Sequence, residues 1–208
     1  MLLIIDASGS MGLIRKTVIE QLNKTLQVFR DAQEIHTKSQ TIFVSLVFFN
    51  SKFIKTIMNL VPAAEIRMLN NDEYLPESFS PLFDAMGSSL SKLRHQLDRK
   101  KTNRVVVTII SDGYENGSTE YTRKMIANLV RELKSIGWIF LHIGANKQLK
   151  FVADALPIDN LIGFNADSLS VTHIMTLHRL SCVRFFEKVS KKPIDDNIDL
   201  QKGLFDSE

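Results

Sequence analysis

Four apolar runs punctuate the chain: Leu2 to Ile5, Ile42 to Phe49, Val105 to Ile110 and Trp138 to Ile143. They are rich in β-branched and aromatic residues and almost unbroken by polar ones, the pattern of strands buried on both faces. Between them the apolar positions switch to a helical period. Met11, Ile14, Val18, Leu22, Leu26 and Phe29 form one stripe. Leu82, Met86, Leu90, Leu93 and Leu97 form a second, and Met125, Ile126, Leu129, Val130 and Leu133 a third, each confined to one helical face. Thr172 to Val189 reads as a last amphipathic helix. Strand and helix in alternation, with crossovers this long, predict an α/β architecture: a Rossmann-like, doubly wound, mainly parallel sheet with helices on both faces, in three layers.

Asn50 and Ser51 separate two strand-like runs between Ser45 and Met58, which predicts a hairpin whose second arm, Lys52 to Met58, is an antiparallel edge strand. Lys52 and Lys55 on that arm would discourage pairing with another sheet edge. Pro62 to Pro81, with Asn70, Asn71, Asp72, Pro76 and Ser78, reads as a long surface loop, of the kind that is usually functional or mobile. Ser118 or Thr119 is placed to open the third helix and Gly137 to close it. Residues 1–190 read as one domain, and 191–208, with few clustered apolar residues, as a flexible C-terminal tail.

At 208 residues and 44% hydrophobic content the chain can bury a sizeable core. Its net charge of +3, from 26 Lys plus Arg against 23 Asp plus Glu, is too small to point to nucleic acid. The basic runs Lys100, Lys101, Arg104 and Lys188, Lys191, Lys192 come without an aromatic platform and read as solvated faces. The single cysteine, Cys182, cannot form an intrachain disulfide, which suits a reducing, cytoplasmic setting. Leu2 to Ile5 lacks the basic flank and length of a signal peptide. No apolar stretch approaches the roughly 20 residues of a membrane helix. The expectation is a soluble, cytoplasmic protein with neither membrane nor nucleic acid as partner, its oligomeric state left open.

Asp6, Ser8 and Ser10 follow the first strand directly, in Asp6-Ala7-Ser8-Gly9-Ser10-Met11-Gly12, and Asp112 follows the strand that ends at Ile110. Ligands of open α/β sheets bind outside the carboxyl ends of the strands, so these carboxylates share one crevice if their strands adjoin. Two carboxylates brought together repel, and a cation is the simplest remedy. Spacing by two lets Asp6, Ser8 and Ser10 aim at one centre. The donors are all hard oxygens, which suit Mg²⁺, Mn²⁺ or Ca²⁺ rather than zinc.

With these residues the sequence resembles von Willebrand factor A domains that carry a metal-ion-dependent adhesion site. Members show Asp-x-Ser-x-Ser after the first strand, a Thr in a middle loop and an Asp-Gly pair after the fourth strand. Asp6, Ser8 and Ser10 match the first element, and Asp112 with Gly113 the last. Ser80-Pro81-Leu82-Phe83-Asp84-Ala85 is similar to the middle element of bacterial members, with Ser80 in place of the Thr. The segments Ser111 to Asn116 and Ile143 to Asn146 are similar to an intracellular branch that is bacterial and phage-associated. The resemblance spans most of Leu2 to Val189. It implies metal ligation by Asp6, Ser8, Ser10, Ser80 and Asp112, and a protein partner whose carboxylate fills an open coordination position.

Other residues carry plainer readings. Ser80 also fits as the N-cap of a helix with Pro81 at its first position. Asp84 reads as solvated or as complementing a helix dipole, Glu115 and Asn116 as solvated loop positions or rim, Asn146 as a turn residue, and His142 as a satisfied core histidine. His36, His95, His173 and His178 show no metal spacing with cysteine. The expected function is a non-catalytic, divalent-metal-dependent interaction module. The alternative is a metal-dependent phosphohydrolase or phosphotransferase, which needs a nucleophile and a cationic phosphate clamp. A haloacid dehalogenase would place a second Asp at Ala7 or Ser8, and a phosphate-binding Gly-rich loop with Lys is missing.

Overall fold

A computed structural model of the chain describes residues 1–97, 103–112, 115–147, 149–165 and 167–191. In chain order these form β1 (Leu2–Asp6), α1 (Arg15–His36), β2 (Phe43–Asn50), β3 (Phe53–Pro62), α2 (Leu82–Gln96), β4 (Val106–Ser111), α3 (Arg123–Ser135), β5 (Ile139–Ala145), α4 (Leu149–Ala155), β6 (Asn160–Phe164) and α5 (Ser168–Lys191). The six strands lie in the order β3-β2-β1-β4-β5-β6. Only β3 runs antiparallel to its neighbour. The predicted α/β class, parallel sheet and antiparallel edge are all present.

Alternation along the central strands feeds two cores. Leu3 and Ile5 of β1 pack with Val18, Leu22, Leu26 and Phe29 of α1 and with Phe185 and Phe186 of α5. Leu2 and Ile4 face the other way, toward Met86 and Leu90 of α2 and Ile126, Val130 and Leu133 of α3. The near-continuous apolar runs are thus strands covered by helices on each side. Met1 and its neighbours begin the sheet at once, since the N-terminal amino group donates to Phe43 O at 2.7 Å.

Several boundaries differ from expectation. The edge strand is Phe53–Pro62 and runs past Met58. Leu46 pairs with Met58 and Val44 with Val61, so Asn59 and Leu60 together oppose Ser45. Leu60 takes φ 49 there, and its N–H donates to Ser45 Oγ at 3.0 Å, a bulge that lets pairing resume. Helix α3 opens at Thr122, whose hydroxyl accepts from Met125 N, and not at Ser118 or Thr119. Gly137 does close it. At φ 89 it donates to Lys134 O while Trp138 N donates to Leu133 O, the paired bonds of a Schellman turn.

β6 and α4 have no counterpart among the predicted elements. Both are short, and β6 is half-exposed at the sheet edge, so neither leaves a strong apolar period. Pro62 to Pro81 is less loose than expected: Ile66, Leu69 and Tyr74 are buried along it. Among the described residues no helix is long and apolar enough to cross a membrane. Lys191 closes α5, and the expected tail from residue 192 onward lies outside the described residues, as do Lys100, Lys101 and Gly113.

Candidate metal centre

β1 and β4 are adjacent and parallel, so Asp6 and Asp112 leave the sheet at the same end. Ser8 N donates to Asp6 Oδ1 at 2.7 Å, bending the chain back over the strand end. A 3₁₀ turn over Gly9–Ile14 follows, held down by buried Met11 and Ile14. Ser10 Oγ donates to Asp112 Oδ1 at 2.6 Å and lies 3.2 Å from Ser8 Oγ. Ser80 Oγ donates to Asp6 Oδ2 at 2.7 Å. Asp6, Ser8, Ser10, Ser80 and Asp112 therefore form one connected cluster, drawn from three loops distant in sequence.

Ser80 does not cap its helix. Pro81 is the cap residue and α2 begins at Leu82, one position later than expected. The first amide groups of α2 are satisfied by the loop after β4 instead. Phe83 N donates to Glu115 Oε2 at 2.8 Å, and Asp84 N to Ser118 Oγ at 3.0 Å. Glu115, expected to be solvated, also accepts from Gly117 N, Ser118 N and Ser118 Oγ. Asp84 is buried and accepts from the backbone of Thr119, Glu120 and Tyr121. Gly87 makes room for this packing, because a Cβ there would stand 2.3 Å from the Tyr121 ring. Asn116, likewise expected in solvent, accepts from Ser80 N through Oδ1 while its own N–H donates to Ser80 O.

Two further groups that the sequence reading passed over touch the cluster, and a third braces the strand end beside it. Ser111 Oγ donates to Asp6 Oδ2 at 2.6 Å, sharing that oxygen with Ser80. Tyr74, fully buried against Phe48, donates its hydroxyl to Asp6 O at 2.5 Å. Asn50 donates to Ala7 O and accepts from Lys52 N and Phe53 N, tying the β2–β3 turn to the strand end. Ser111 was legible as the residue before Asp112. Tyr74 lies in a stretch with no motif and carried no signal.

Burial raises the Asp6 carboxyl above its ordinary value against the hydroxyls of Ser111, Ser80 and Ser8, which favour its ionised form. Burial also raises Asp112, and the charge of Asp6 pushes it further the same way, while the Ser10 hydrogen bond opposes both. Neither carboxylate has an ion-pair partner among the described residues, where the salt bridges all lie elsewhere. Nor do those residues gather three or more His, Cys, Asp or Glu side chains in one place. The donor set of two carboxylates and three hydroxyls fits a hard divalent cation and leaves nothing for a soft one.

The remaining candidates sort differently. Asn146 is a turn residue, its N–H donating to Phe164 O and its side chain to Asn165. His142 is buried but not satisfied: neither ring nitrogen has a hydrogen-bond partner among the described residues, and burial lowers its pKa to about 4. His178 and Cys182 do meet, at 3.5 Å, one turn apart on α5, with Thr108 Oγ1 the other neighbour of the ring at 3.1 Å. Burial lifts the Cys182 thiol to about 12, so it is held as an unreactive core group.

The sequence matches no protein-family model and no curated protein. The three-dimensional arrangement does match solved structures. The SpRpn10 VWA domain superposes with a TM-score of 0.53 at 13% identity, over 85% of this chain and 93% of that one. The chain has the von Willebrand factor A fold. Proximal thread matrix protein 1 of the mussel byssus, in a structure with a zinc-occupied MIDAS motif, gives 0.59 at 16% identity over 87% of this chain. This chain spans only 45% of the length of that protein. Manganese-loaded TRAP protein of Plasmodium vivax gives 0.53 at 16% identity, over 82% of this chain and 70% of that one. Two of these von Willebrand factor A structures thus hold a divalent metal, and at such identities the likeness to this chain is one of fold.

Proposed function

We propose that this protein is a non-catalytic, divalent-cation-dependent interaction module that binds an acidic residue of a protein partner. One observation carries the reading: Ser10 to Asp112 and Ser80 to Asp6 hydrogen bonds draw two buried carboxylates, without an ion-pair partner among the described residues, and three hydroxyls to one point at the strand ends. Asp6, Ser8, Ser10, Ser80 and Asp112 would hold Mg²⁺, or Mn²⁺ or Ca²⁺, directly or through water. When bound, such an ion supplies a Lewis-acidic position for a carboxylate oxygen. Five protein donors leave an ion that prefers about six oxygens at least one place for a partner. Tyr74, Ser111 and Asn116 keep the donors in position. The buried single cysteine supports a cytoplasmic home, and the Ser111 to Asn116 and Ile143 to Asn146 segments support the bacterial and phage-associated branch.

The test is a thermal melt with and without Mg²⁺ or Mn²⁺. A cation at one hundred times its dissociation constant adds about 2.7 kcal/mol, a rise of about 5 to 10 °C in a chain of this size. The rise should vanish in Asp6→Ala and in Asp112→Ala, and Asp112→Ala should stay folded because it sits at the loop mouth. An equal response in wild type and both variants would place the ion elsewhere. Asp6-dependent hydrolysis of a generic phosphate ester would assign the site to phosphoryl chemistry instead.

A further inference from the structure

Large apolar side chains exposed one at a time are ordinary on a protein surface, and several at one rim are not. Leu13, Leu75 and Phe79 are exposed at 89%, 51% and 62%. All three belong to the two segments that carry Ser10 and Ser80. Those segments are zipped together: Glu77 N donates to Ala7 O at 2.9 Å, Gly9 N to Ser78 O at 3.0 Å, and Arg15 Nε to Tyr74 O at 2.8 Å. The turn that carries Leu13 is therefore fastened by Arg15 to the carbonyls of Asn71 and Tyr74, the latter next in sequence to Leu75, while Phe79 immediately precedes Ser80.

Nothing about these segments is slack. Met11 and Ile14 anchor the turn under Leu13, and buried Tyr74 and Ser80 bracket Leu75 and Phe79. Ser78 is held at φ 65, a left-handed conformation that a serine seldom takes, by a 2.5 Å contact between its hydroxyl and that of Ser51. Phe79 O accepts from Ser51 N at 3.0 Å, so the β2–β3 turn braces the backbone of Phe79. The backbone beneath Leu13, Leu75 and Phe79 is thus tied down by hydrogen bonds while the three side chains stay exposed on the segments that carry Ser10 and Ser80.

We propose that Leu13, Leu75 and Phe79 form the apolar part of a docking surface for a protein segment in which an Asp or Glu is flanked by large apolar side chains. The proposal rests on the metal-dependent reading above. A carboxylate by itself gives steering and register, and every acidic segment offers one; desolvated apolar anchors beside it supply affinity and choose among acids.

The test pans phage-displayed random peptides on the full chain in Mn²⁺ and measures Mn²⁺ binding separately by electron paramagnetic resonance. Enriched peptides should carry an acid within a few positions of Leu, Phe or Trp and should be released by chelator. The triple variant Leu13→Ser, Leu75→Ser, Phe79→Ser, and Phe79→Ser alone, should bind Mn²⁺ as the wild type does. The triple variant should bind the enriched peptides about tenfold or more weakly. Normal Mn²⁺ binding with unchanged peptide affinity in the triple variant overturns the rim and leaves the metal-dependent reading intact, as does enrichment of acids with no apolar neighbour, whereas normal Mn²⁺ binding with no acidic peptide enriched overturns the rim and the acidic partner together. Failure of the wild type to bind Mn²⁺ overturns both. Self-association that needs Mn²⁺ and Phe79 but excludes the peptides would make a second copy the occupant and overturn the partner named here.

Discussion

Asp84 and Asp112 are buried to the same degree, each 7% exposed, and their surroundings differ. Asp84 has its partners built in: three backbone N–H groups of residues 119–121 close on its two oxygens. Among the described residues Asp112 accepts one side-chain hydrogen bond, from Ser10, with its own backbone N–H adding to it, and it faces the charge of Asp6. Burial alone therefore says nothing about function. What separates a plainly structural carboxylate from one proposed as a ligand is how far the fold itself compensates the charge. His142 shows a third solution. Buried, and with no partner for either nitrogen among the described residues, it is held neutral by the cost of burying its charge.

The sharpest way to break the comparison is Asp84→Ala. Three amides lose a charged acceptor at once, and the cost should be about 3 to 5 kcal/mol in denaturant unfolding. Asp112→Ala should cost far less in the absence of metal, because it also removes a repulsion. Equal losses would mean that Asp112 too is a structural group.

The histidine class is separated by acid. The folded pKa of His142 lies at about 4, below its ordinary 6.5. The unfolded chain therefore takes up the proton first, and stability falls as pH drops from about 6.5 toward 4. The loss is about 3 kcal/mol for this residue, and His178, also lowered to about 4, acts in the same direction. In chelator, His142→Leu should lose about 3 kcal/mol less than wild type between pH 7 and 4. Matching slopes would show that His142 is solvated.

The smallest effect concerns Asp6 and Asp112, whose pKa values are raised above 3.8 by burial and, for Asp112, also by the other's charge. In the metal-free protein the folded state holds these protons more tightly than the unfolded chain, so this pair favours folding as pH falls. Protons and cation compete for the same oxygens. The Mn²⁺-induced rise in melting temperature should therefore fade with falling pH while still above the ordinary carboxylate range, and a response unchanged down to that range would show that these aspartates are not ligands.

Much of this was legible in the chain itself. Continuous apolar runs announce strands covered on both faces, and helical stripes between them leave few topologies, so the parallel sheet and its antiparallel edge follow from local chemistry. Asp6, Ser8 and Ser10 were visible because they sit within five residues of one strand end. Ser80 came from resemblance alone, since no local rule distinguishes a helix-capping serine from one aimed at a distant carboxylate.

The tertiary structure decided everything that depends on partners remote in sequence. Asp84 and Asn116 look like solvated polar residues because the groups that satisfy them are remote in sequence, and Glu115 joins its local acceptance from Gly117 and Ser118 to a bond from the distant Phe83 N. The remote partners stand more than 30 residues away: Asp84 on α2 meets the loop after β4, Glu115 of that loop meets Phe83 on α2, and Asn116 meets Ser80 just before α2. Tyr74 and Ser111 joined the site for the same reason. A sequence records which groups are polar and at what period, whereas whether a polar group is satisfied, repelled or waiting for a ligand depends on which loops the crossovers bring to one end of the sheet.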